Sequence, residues 1–392
     1  MSTPPSPHDD TPTFTFPEEP LGLPATAGYG FFQGTPYDAL GPDGRFQLQA
    51  KLGFGTNCSV WLAKDRQYLT THERLSALPA EETKHCSQLM AHFIHKGIEN
   101  DGDHLCLVLK LEQATLAAVQ NEHRDAFYPV PLVKRILLHM LHGLAALHKC
   151  RVAHTDLKPD NIMVGLLPSS TTQAIDAWVL EHAPLVYGPC QSLDKIVTQA
   201  FVSTQLPLPS MAELERCDFK VANFINAQEL DDQTSDQVTP LTLCAPEIIL
   251  GAPWDEKIDI WSFGCLVFTL LTHQPLFPRG VKPIHHEHLR PGFEPTEKGI
   301  EIDYVLWLIT FFTDQRYPSA VLDLYANSRD YFEENGRKFL GARPLDMCIR
   351  DTGCTVPDGD VAGACSLMKR CLQLNPADRP SAIELLDDPW LQ

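Results

Sequence analysis

The sequence predicts an α+β fold in which a small β-rich region precedes a larger, mainly helical region. Two β-like runs flank a glycine-containing turn in RFQLQAKLGFGTNCSVWLAKD (45–65), which favours a hairpin. In PLVKRILLHMLHGLAALHKC (131–150) the apolar residues recur every three or four positions, as they do on the buried face of a helix. The segment KIDIWSFGCLVFTLLT (257–272) is apolar on almost every side, which predicts a central buried helix.

Further elements follow from the same two patterns. HLCLVLKL (104–111) predicts another strand, and a strand is also expected around residues 89–93, after a short helical stretch. Near the end of the chain, AGACSLMKRCLQLNP (362–376) and SAIELLDDPW (381–390) predict two more helices.

Composition divides the chain into three parts. Residues 1–44 are rich in proline and lack periodicity, so we expect a mostly disordered arm that docks only locally. Residues 45–113 are expected to form the β-rich domain, and residues 114–392 the helical domain. A segment rich in Pro, Ser and Thr, at about 166–217, is expected to be an insert within the helical domain.

The bulk composition excludes several classes of protein. The net charge of −19 argues against direct binding of nucleic acid, and indicates either an acidic solvated surface or attraction to a basic partner. The 12 cysteines contain no CxxC pair, which favours a reducing compartment over a disulfide or zinc scaffold. Apolar stretches such as VLWLITFF (305–312) are far shorter than the ~20 residues that cross a bilayer. We therefore expect no membrane contact.

The segment HTDLKPDN (154–161) carries an acid, an amine and an amide at short spacing. It resembles the catalytic loop of eukaryotic protein kinases, H-x-D-x-K-P-x-N, and its Thr after the His is typical of the SR-protein kinases. APEIIL (245–250), DIWSFG (259–264) and Arg379 follow in the order that protein kinases have. The resemblance covers about 45–392 and is to fungal members of the SR-protein kinase subfamily.

The resemblance implies a two-lobed protein-kinase-like fold, with a truncated β-rich N-lobe and a mainly helical C-lobe. Asp156 and Lys158 are the expected catalytic residues. Asp156 would accept or orient the proton of a substrate hydroxyl, and Lys158 would lie against the γ-phosphate of ATP. Asn161 would hold Mg²⁺ through its amide oxygen. His154 is expected to be a buried packing residue.

LGFGTNCSVWLA (52–63) resembles the glycine-rich loop that covers the phosphates of ATP. The resemblance implies four ATP-binding residues: Leu52, Gly53, Gly55 and Val60. Glycines leave room for backbone amides near phosphate oxygens, and Val60 would pack on the adenine. The alternative is an ordinary hairpin turn, which also accommodates two glycines.

Two departures from the family pattern stand out. In FKVANFINA (219–227), Asn223 occupies the position of the family's metal-binding Asp, although an alternative register would use Asp218. We therefore expect Asn161 and Asn223 to be the metal ligands. The strand Lys and helix Glu that hold ATP phosphates in the family are also missing, because a strand and most of a helix are absent between Tyr68 and Leu69. Lys64 and Glu73 are weak substitutes, and Lys64 is better interpreted as a solvated strand end.

By resemblance, the function is that of a serine/threonine protein kinase of SR-protein kinase type, with a link to the regulation of mRNA splicing. It would transfer the γ-phosphate of ATP to Ser in Arg/Ser-rich proteins, with Mg²⁺ as cofactor and with weak activity. The alternative is a catalytically inactive pseudokinase that acts as a scaffold for protein partners. A third hypothesis is that the missing strand and helix were lost from this particular sequence. We expect a monomer in the cytoplasm or nucleus.

Overall fold

The structure is a computed structural model, and its residues fall into two compact units. It describes residues 18–19, 21, 24–27, 30–55, 58–65, 82–98, 102–186, 190–191, 197–198, 200–235, 238–278, 297–317, 322, 325, 327–331 and 342–392. Unit 1 comprises Met1–Leu75, Leu89–Leu111 and Ser169–Leu206. Unit 2 comprises Ser76–Gln88, Glu112–Pro168 and Pro207–Gln392.

The described residues contain both strands and helices, which confirms the α+β class. The strands are β1 (Ala39–Leu40), β2 (Phe46–Gly55), β3 (Cys58–Asp65), β4 (Leu89–Lys96), β5 (Asp103–Leu109), β6 (Ala114–Thr115), β7 (Val152–Ala153), β8 (Ile162–Val164), β9 (Cys190–Gln191), β10 (Val197–Thr198), β11 (Phe219–Val221) and β12 (Gln228–Glu229). The helices are α1 (Leu116–Glu122), α2 (Val130–Lys149), α3 (Thr172–Glu181), α4 (Met211–Leu214), α5 (Pro246–Ile249), α6 (Lys257–Thr272), α7 (Glu297–Thr313), α8 (Ser328–Tyr331), α9 (Leu345–Asp351), α10 (Asp358–Cys371) and α11 (Ala382–Leu385).

Unit 1 contains the predicted hairpin. Strands β2 and β3 pair antiparallel, with irregularities in register after Leu48 and after Lys51, and β1 adds to the free side of β2. A salt bridge of 2.6 Å between Arg45 and Asp65 joins the two ends of the hairpin. Strands β4 and β5 form a second antiparallel hairpin, so both strands predicted between residues 89 and 111 are present. The helical stretch predicted before them lies outside the described residues.

The insert has a helix that the sequence analysis did not identify. Helix α3 is capped at its N-terminus by Thr171, whose hydroxyl accepts a hydrogen bond from the backbone N–H of Ala174. Its Trp178 is buried in a small apolar cluster with Ala50, Leu62 and Leu206. The predicted domain limits stay predictions, but the compact units group two segments differently. Residues 169–206, expected in the helical domain, belong to unit 1, and residues 76–88 belong to unit 2.

Unit 2 is built around helices α2, α6 and α10. Fourteen of the 16 residues of α6 are buried, as its apolar sequence predicted. Helices α6 and α10 approach closely at Gly264, where a Cβ atom would lie 2.7 Å from the Cβ of Cys371. Helix α2 is the one described helix that is long and apolar enough to span a membrane. Its buried residues pack against the protein core: Leu132, Val133, Ile136, Leu137, Met140, Leu141, Gly143 and Leu144.

Two small sheets in unit 2 position the 154–161 loop. Strand β7, just before the loop, pairs with β12, and strand β8, just after it, lies between β6 and β11. In the second sheet Ile162 is opposite Val221 in an antiparallel pair. Asn161, just before Ile162, is therefore next to Ala222, just after Val221. The backbone N–H of Ala222 donates to the carbonyl of Asn161 at 2.9 Å. The end of the loop and the residues after β11 are thereby brought together.

Candidate functional site

The backbone at the start of the 154–161 loop is hydrogen-bonded to one buried carboxylate of helix α6, that of Asp259. Asp259 accepts the backbone N–H groups of His154 and Thr155 at 2.8 and 2.9 Å, and its Oδ2 lies 2.9 Å from Nε2 of His148. Burial alone would raise the pKa of Asp259, but these hydrogen bonds and the nearby imidazoles hold it below its ordinary value. The carboxylate therefore stays ionised and fixes the backbone of the loop.

Thr155 has a backbone φ of 67°, which is unusual for a β-branched residue. Three contacts hold it there. Its N–H donates to Asp259, its hydroxyl donates to the carbonyl of Asn226 at 2.6 Å, and its carbonyl accepts from the hydroxyl of Thr239 at 2.5 Å. A strained conformation persists only where its surroundings over-determine it, and such sites are often functional.

His154 is fully buried, as expected for a packing residue. Its Nδ1 accepts the backbone N–H of Asp156 at 3.2 Å, so Nε2 carries the proton and donates to the carbonyl of Ala222 at 2.9 Å. Both ring nitrogens are therefore used in holding the backbone of the loop.

The side chains of Asp156, Lys158 and Asn161 converge on one point. The ammonium group of Lys158 lies 2.8 Å from Oδ2 of Asp156. The amide nitrogen of Asn161 donates to that same Oδ2 at 3.0 Å and to the backbone carbonyl of Asp156 at 2.6 Å. An acid, a cation and an amide thus form a single hydrogen-bonded group, and the acid is mostly buried.

The structure places Asn223, and not Asp218, beside this group. Asn223 has φ 64° and ψ 67°, a left-handed conformation that Asn and Asp adopt more readily than other residues with a side chain. Its amide nitrogen donates to Oδ1 of Asn161 at 2.9 Å. Asp218 lies instead immediately before β11, 3.4 Å from both Lys84 and Arg135. Of the two residues considered for this position, Asn223 is the one that contacts Asn161.

In unit 1 the four expected ATP-binding residues lie on the β2–β3 hairpin. Gly53 pairs with Val60, and Gly55 pairs with Cys58. A Cβ atom at Gly53 would meet nothing within 4 Å, so open space lies beside strand β2 at this position. Val60 is 50% exposed and therefore available to an apolar ligand, while Leu52 packs against the small apolar cluster around Trp178. Neither glycine has a positive φ, so the backbone conformation at these two strand positions does not require glycine.

Comparison with known proteins assigns the family. Residues 46–168 and 208–391 match the family described as "Protein kinase domain". The chain belongs to the protein kinase family. The unmatched residues 169–207 between the two parts fall in the predicted insert and include α3.

Several protein kinases are similar over most of this chain. It is 28% identical over 395 residues to the serine/threonine-protein kinase SRPK of Physarum polycephalum, covering 88% of this chain and 85% of that one. It is 27% identical over 367 residues to a serine/threonine protein kinase of Aspergillus fumigatus, covering 88% and 84%. Protein kinase dsk1 of Schizosaccharomyces pombe is 23% identical over 458 residues, covering 89% and 80%. The resemblance to the SRPK-like kinases is thereby confirmed.

Protein kinases generally use ATP and Mg²⁺, but the expected ligands here do not fit the ion as they are arranged. Oδ1 of Asn161 already accepts the amide of Asn223, and the Asp156 carboxylate is already paired with Lys158. Among the residues that the structure describes, no group of three or more His, Cys, Asp or Glu side chains is placed to hold a metal. Mg²⁺ prefers charged oxygen ligands in octahedral geometry. The prediction of a metal site at Asn161 and Asn223 therefore disagrees with the hydrogen bonds that these side chains form with each other.

Lys64, the weak substitute for the missing strand Lys, forms an ion pair with an acid on helix α3. The ammonium group of Lys64 lies 3.2 Å from both carboxylate oxygens of Asp176 in α3, and the two side chains are 53% and 47% exposed. This is the solvated strand end that the sequence analysis favoured. Glu73 and the junction of Tyr68 and Leu69 lie outside the described residues.

Sequence reasoning missed a buried lysine on the strand that carries the glycines. The Nζ of Lys51 is bonded to the carboxylates of Glu18 and Glu19 and donates to the carbonyl of Phe201 at 3.1 Å. Glu18 also accepts the N–H and the hydroxyl of Ser203, at 2.8 and 2.7 Å. No sequence signal indicates this cluster, because a Lys in a half-buried strand is usually solvated and its partners are far away in the chain.

Proposed function

We propose that this protein kinase transfers the γ-phosphate of ATP to serine residues of Arg/Ser-rich proteins, at low turnover. The observation that carries the proposal is the convergence of Asp156, Lys158 and Asn161 in one hydrogen-bonded group. Transfer of a phosphoryl group needs little covalent help from the protein, so positioning and charge do most of the work. These three side chains supply both.

Each side chain has a task in the transfer. Asp156 accepts the proton of the serine hydroxyl, and two donors to its Oδ2 hold its carboxylate in place for this task. Lys158 brings a positive charge to the terminal phosphate and neutralises Asp156 until substrate binds. Asn161 restrains Asp156 through one amide group, which donates to the side-chain Oδ2 and to the backbone carbonyl of Asp156.

The substrate class rests on charge and on the names of relatives. A net charge of −19 favours encounter with arginine-rich chains, since complementary charges speed association. The relative in Physarum polycephalum is named a serine/threonine-protein kinase SRPK. We extend this specificity to the present chain as part of the proposal.

Low turnover follows from what the site lacks. Asn223 carries no charge, and the sequence contains no Lys in the usual strand position. A lost charge-assisted contact is worth ~1.5–3 kcal/mol, so two such losses lower the rate by ~10²–10⁴.

Transfer of radiolabelled phosphate from ATP to an Arg-Ser repeat peptide tests the proposal. We expect slow labelling by the wild-type chain and none by Asp156→Asn. Asp160→Asn is the matched control, because Asp160 is an exposed acid in the same loop, and it should label like the wild type. Equal labelling by the wild type and Asp156→Asn would remove the enzymatic function.

A second candidate function is that of a pseudokinase scaffold for protein partners. The amide pair of Asn161 and Asn223 favours it, because these two side chains satisfy each other without a ligand. A scaffold would bind Arg/Ser-rich peptide as tightly after Asp156→Asn as before and would transfer no phosphate. The labelling assay and a binding titration on the same two proteins therefore separate the two functions.

A further inference from the structure

Hydrogen bonding determines which way the Asn161 amide points. Its nitrogen faces two acceptors, the carbonyl oxygen and Oδ2 of Asp156, at 2.6 and 3.0 Å. The opposite orientation would place an amide oxygen against two other oxygens, which is unfavourable. Oδ1 of Asn161 therefore faces Asn223 and needs a donor, and the amide nitrogen of Asn223 provides one at 2.9 Å.

An aspartate at position 223 would change this contact into one between two acceptors. A carboxylate oxygen would then face Oδ1 of Asn161, and neither group has a proton to share. Such a pair of oxygens is bridged well by a cation, which is how hard divalent ions are held in proteins. With Asp at position 223, a divalent ion could lie between its carboxylate oxygen and Oδ1 of Asn161. With Asn, the proton of the side-chain N–H lies between the two groups instead.

Charge supports the same conclusion. Asp156 and Lys158 form an ion pair at 2.8 Å, and Asn161 and Asn223 are neutral, so these four side chains carry no net charge. The four side chains would carry a net charge of −1 if residue 223 were an aspartate. A neutral group has little attraction for a divalent ion, and it repels the phosphates of a nucleotide less than an anionic group would.

We propose that Asn223 makes nucleotide binding at this site independent of divalent cations. The amide pair of Asn161 and Asn223 replaces the ion as a bridge, and Lys158 supplies the positive charge for the terminal phosphate of a nucleoside triphosphate. This inference rests on the proposed binding of ATP, and it adds that this binding needs no divalent cation. The backbone at residue 223 suits Asp as well as Asn, so the two residues differ mainly in charge and in the N–H donor.

Asn223→Asp is the variant that tests the inference, and Asn226→Asp is its matched control. Asn226 is exposed and lies three residues away, and its backbone carbonyl, which accepts from Thr155, is unchanged by the substitution. Both variants add one negative charge to the same segment. Only the first adds it opposite Oδ1 of Asn161. The melting temperature of each variant without ligand shows whether it folds.

The first measurement is binding of Mn²⁺ alone, followed by the loss of its free electron paramagnetic resonance signal. We expect no saturable binding by the wild type or Asn226→Asp, and one bound ion per chain for Asn223→Asp. Saturable binding of one ion by the wild type would overturn the inference. It would also be overturned if a folded Asn223→Asp bound no more Mn²⁺ than the control.

The second measurement is the shift in melting temperature with ATP, in EDTA and in Mg²⁺. We expect the wild type and Asn226→Asp to show the same shift in both buffers, and Asn223→Asp to show a shift only with Mg²⁺. A wild-type shift that appears only with Mg²⁺ refutes cation independence but leaves ATP binding standing. No wild-type shift in either buffer refutes ATP binding, and with it the proposed function.

Discussion

Each of the two units contains a buried ion cluster, and the two clusters differ in charge balance. In unit 2, Arg379 and Glu247 are 0% and 1% exposed and form two parallel hydrogen bonds of 2.6 and 2.8 Å. The guanidinium also donates to the carbonyls of Gln373 and Lys257, at 2.8 and 3.1 Å. In unit 1, one ammonium group, that of Lys51, faces two carboxylates, and all three side chains are at most 5% exposed.

The difference shows how a buried charge is satisfied. The pair in unit 2 is neutral, and the planar guanidinium matches the carboxylate geometrically. The cluster in unit 1 has an excess negative charge, which the N–H and hydroxyl of Ser203 help to stabilise. The unit 2 pair joins segments inside the helical core, whereas the unit 1 cluster depends on residues 18–19, close to the start of the chain. We expect the first to be costlier to break.

Arg379→Leu should have the largest effect. The substitution leaves the Glu247 carboxylate buried without its partner, and breaking such a pair costs about 3–5 kcal/mol. Urea unfolding followed by tryptophan fluorescence measures the loss, and one contributor is the buried Trp261, whose ring centroid lies 5.1 Å from the guanidinium carbon. Arg350→Ala is the control, because Arg350 pairs with Asp358 at the surface and should not shift the transition. An equal shift in both variants would contradict the expectation that the buried pair of Arg379 and Glu247 is costlier to break than the exposed pair of Arg350 and Asp358.

Lys51→Met should destabilise unit 1 by about 3 kcal/mol, the lower end of the range for a broken buried ion pair. The effect is at the lower end because Glu18 keeps its two hydrogen bonds from Ser203. Glu19→Gln should cost less, since it removes the excess charge and keeps a hydrogen-bond acceptor beside Lys51. Limited proteolysis near residues 18–19 measures both effects. Faster cleavage of Glu19→Gln than of Lys51→Met would show that the excess carboxylate is needed.

Acid should affect unit 2 before it affects the cluster of unit 1. Nδ1 of His139 accepts the backbone N–H of Phe219 at 3.1 Å, and its ring stacks on that of His85 at 4.0 Å. Burial and the nearby His85, Arg135 and Lys84 outweigh the opposing effect of Asp218 and lower the pKa of His139 to about 3. The unfolded chain takes up this proton below its ordinary pKa of 6.5, so stability falls as the pH drops from 6.5 towards about 3.

Glu18 makes unit 1 lose stability in a lower pH range than unit 2. Burial raises its pKa, but hydrogen bonds from Lys51 and Ser203 bring it below the ordinary 4.5, so its stabilisation is complete above pH 4.5 and is lost as the pH falls further. Hydrogen exchange of peptides from each unit at pH 7, 5.5 and 4 measures both windows. His139→Asn keeps an acceptor for Phe219 and should reduce the loss in unit 2 between pH 6.5 and 4.5, whereas the exposed His142→Asn should not.

Arg151→Ala should have the smallest effect. Arg151 and Asp231 form hydrogen bonds of 2.7 and 3.0 Å, but their side chains are 62% and 73% exposed. Solvent screens such a pair and both side chains lose freedom in forming it, so little stability results. The melting temperature should match that of the wild type. A clear decrease would mean that short distance matters more than burial for ion pairs in this chain.

Much of the fold and part of the site could be predicted because the signals are local. The apolar spacing predicted α2 and α6, and the glycine-containing turn predicted the β2–β3 hairpin. The order of residues in HTDLKPDN predicted an acid, an amine and an amide in one loop, and the fold places them in one group. Helix α3 was missed because Pro, Ser and Thr around it obscured its short apolar pattern.

The sequence by itself determined the class of fold, the main helices, the hairpin and the composition of the 154–161 loop, because each depends on residues only a few positions apart. Tertiary structure decided which acid or amide stands beside that loop, since Asn223 meets Asn161 across 62 positions only because β11 pairs with β8. It also decided that Lys51 is buried, through partners 32, 33 and 150 positions away. The spacing of residues along a chain holds no record of such contacts, because they form only when distant segments are folded against each other.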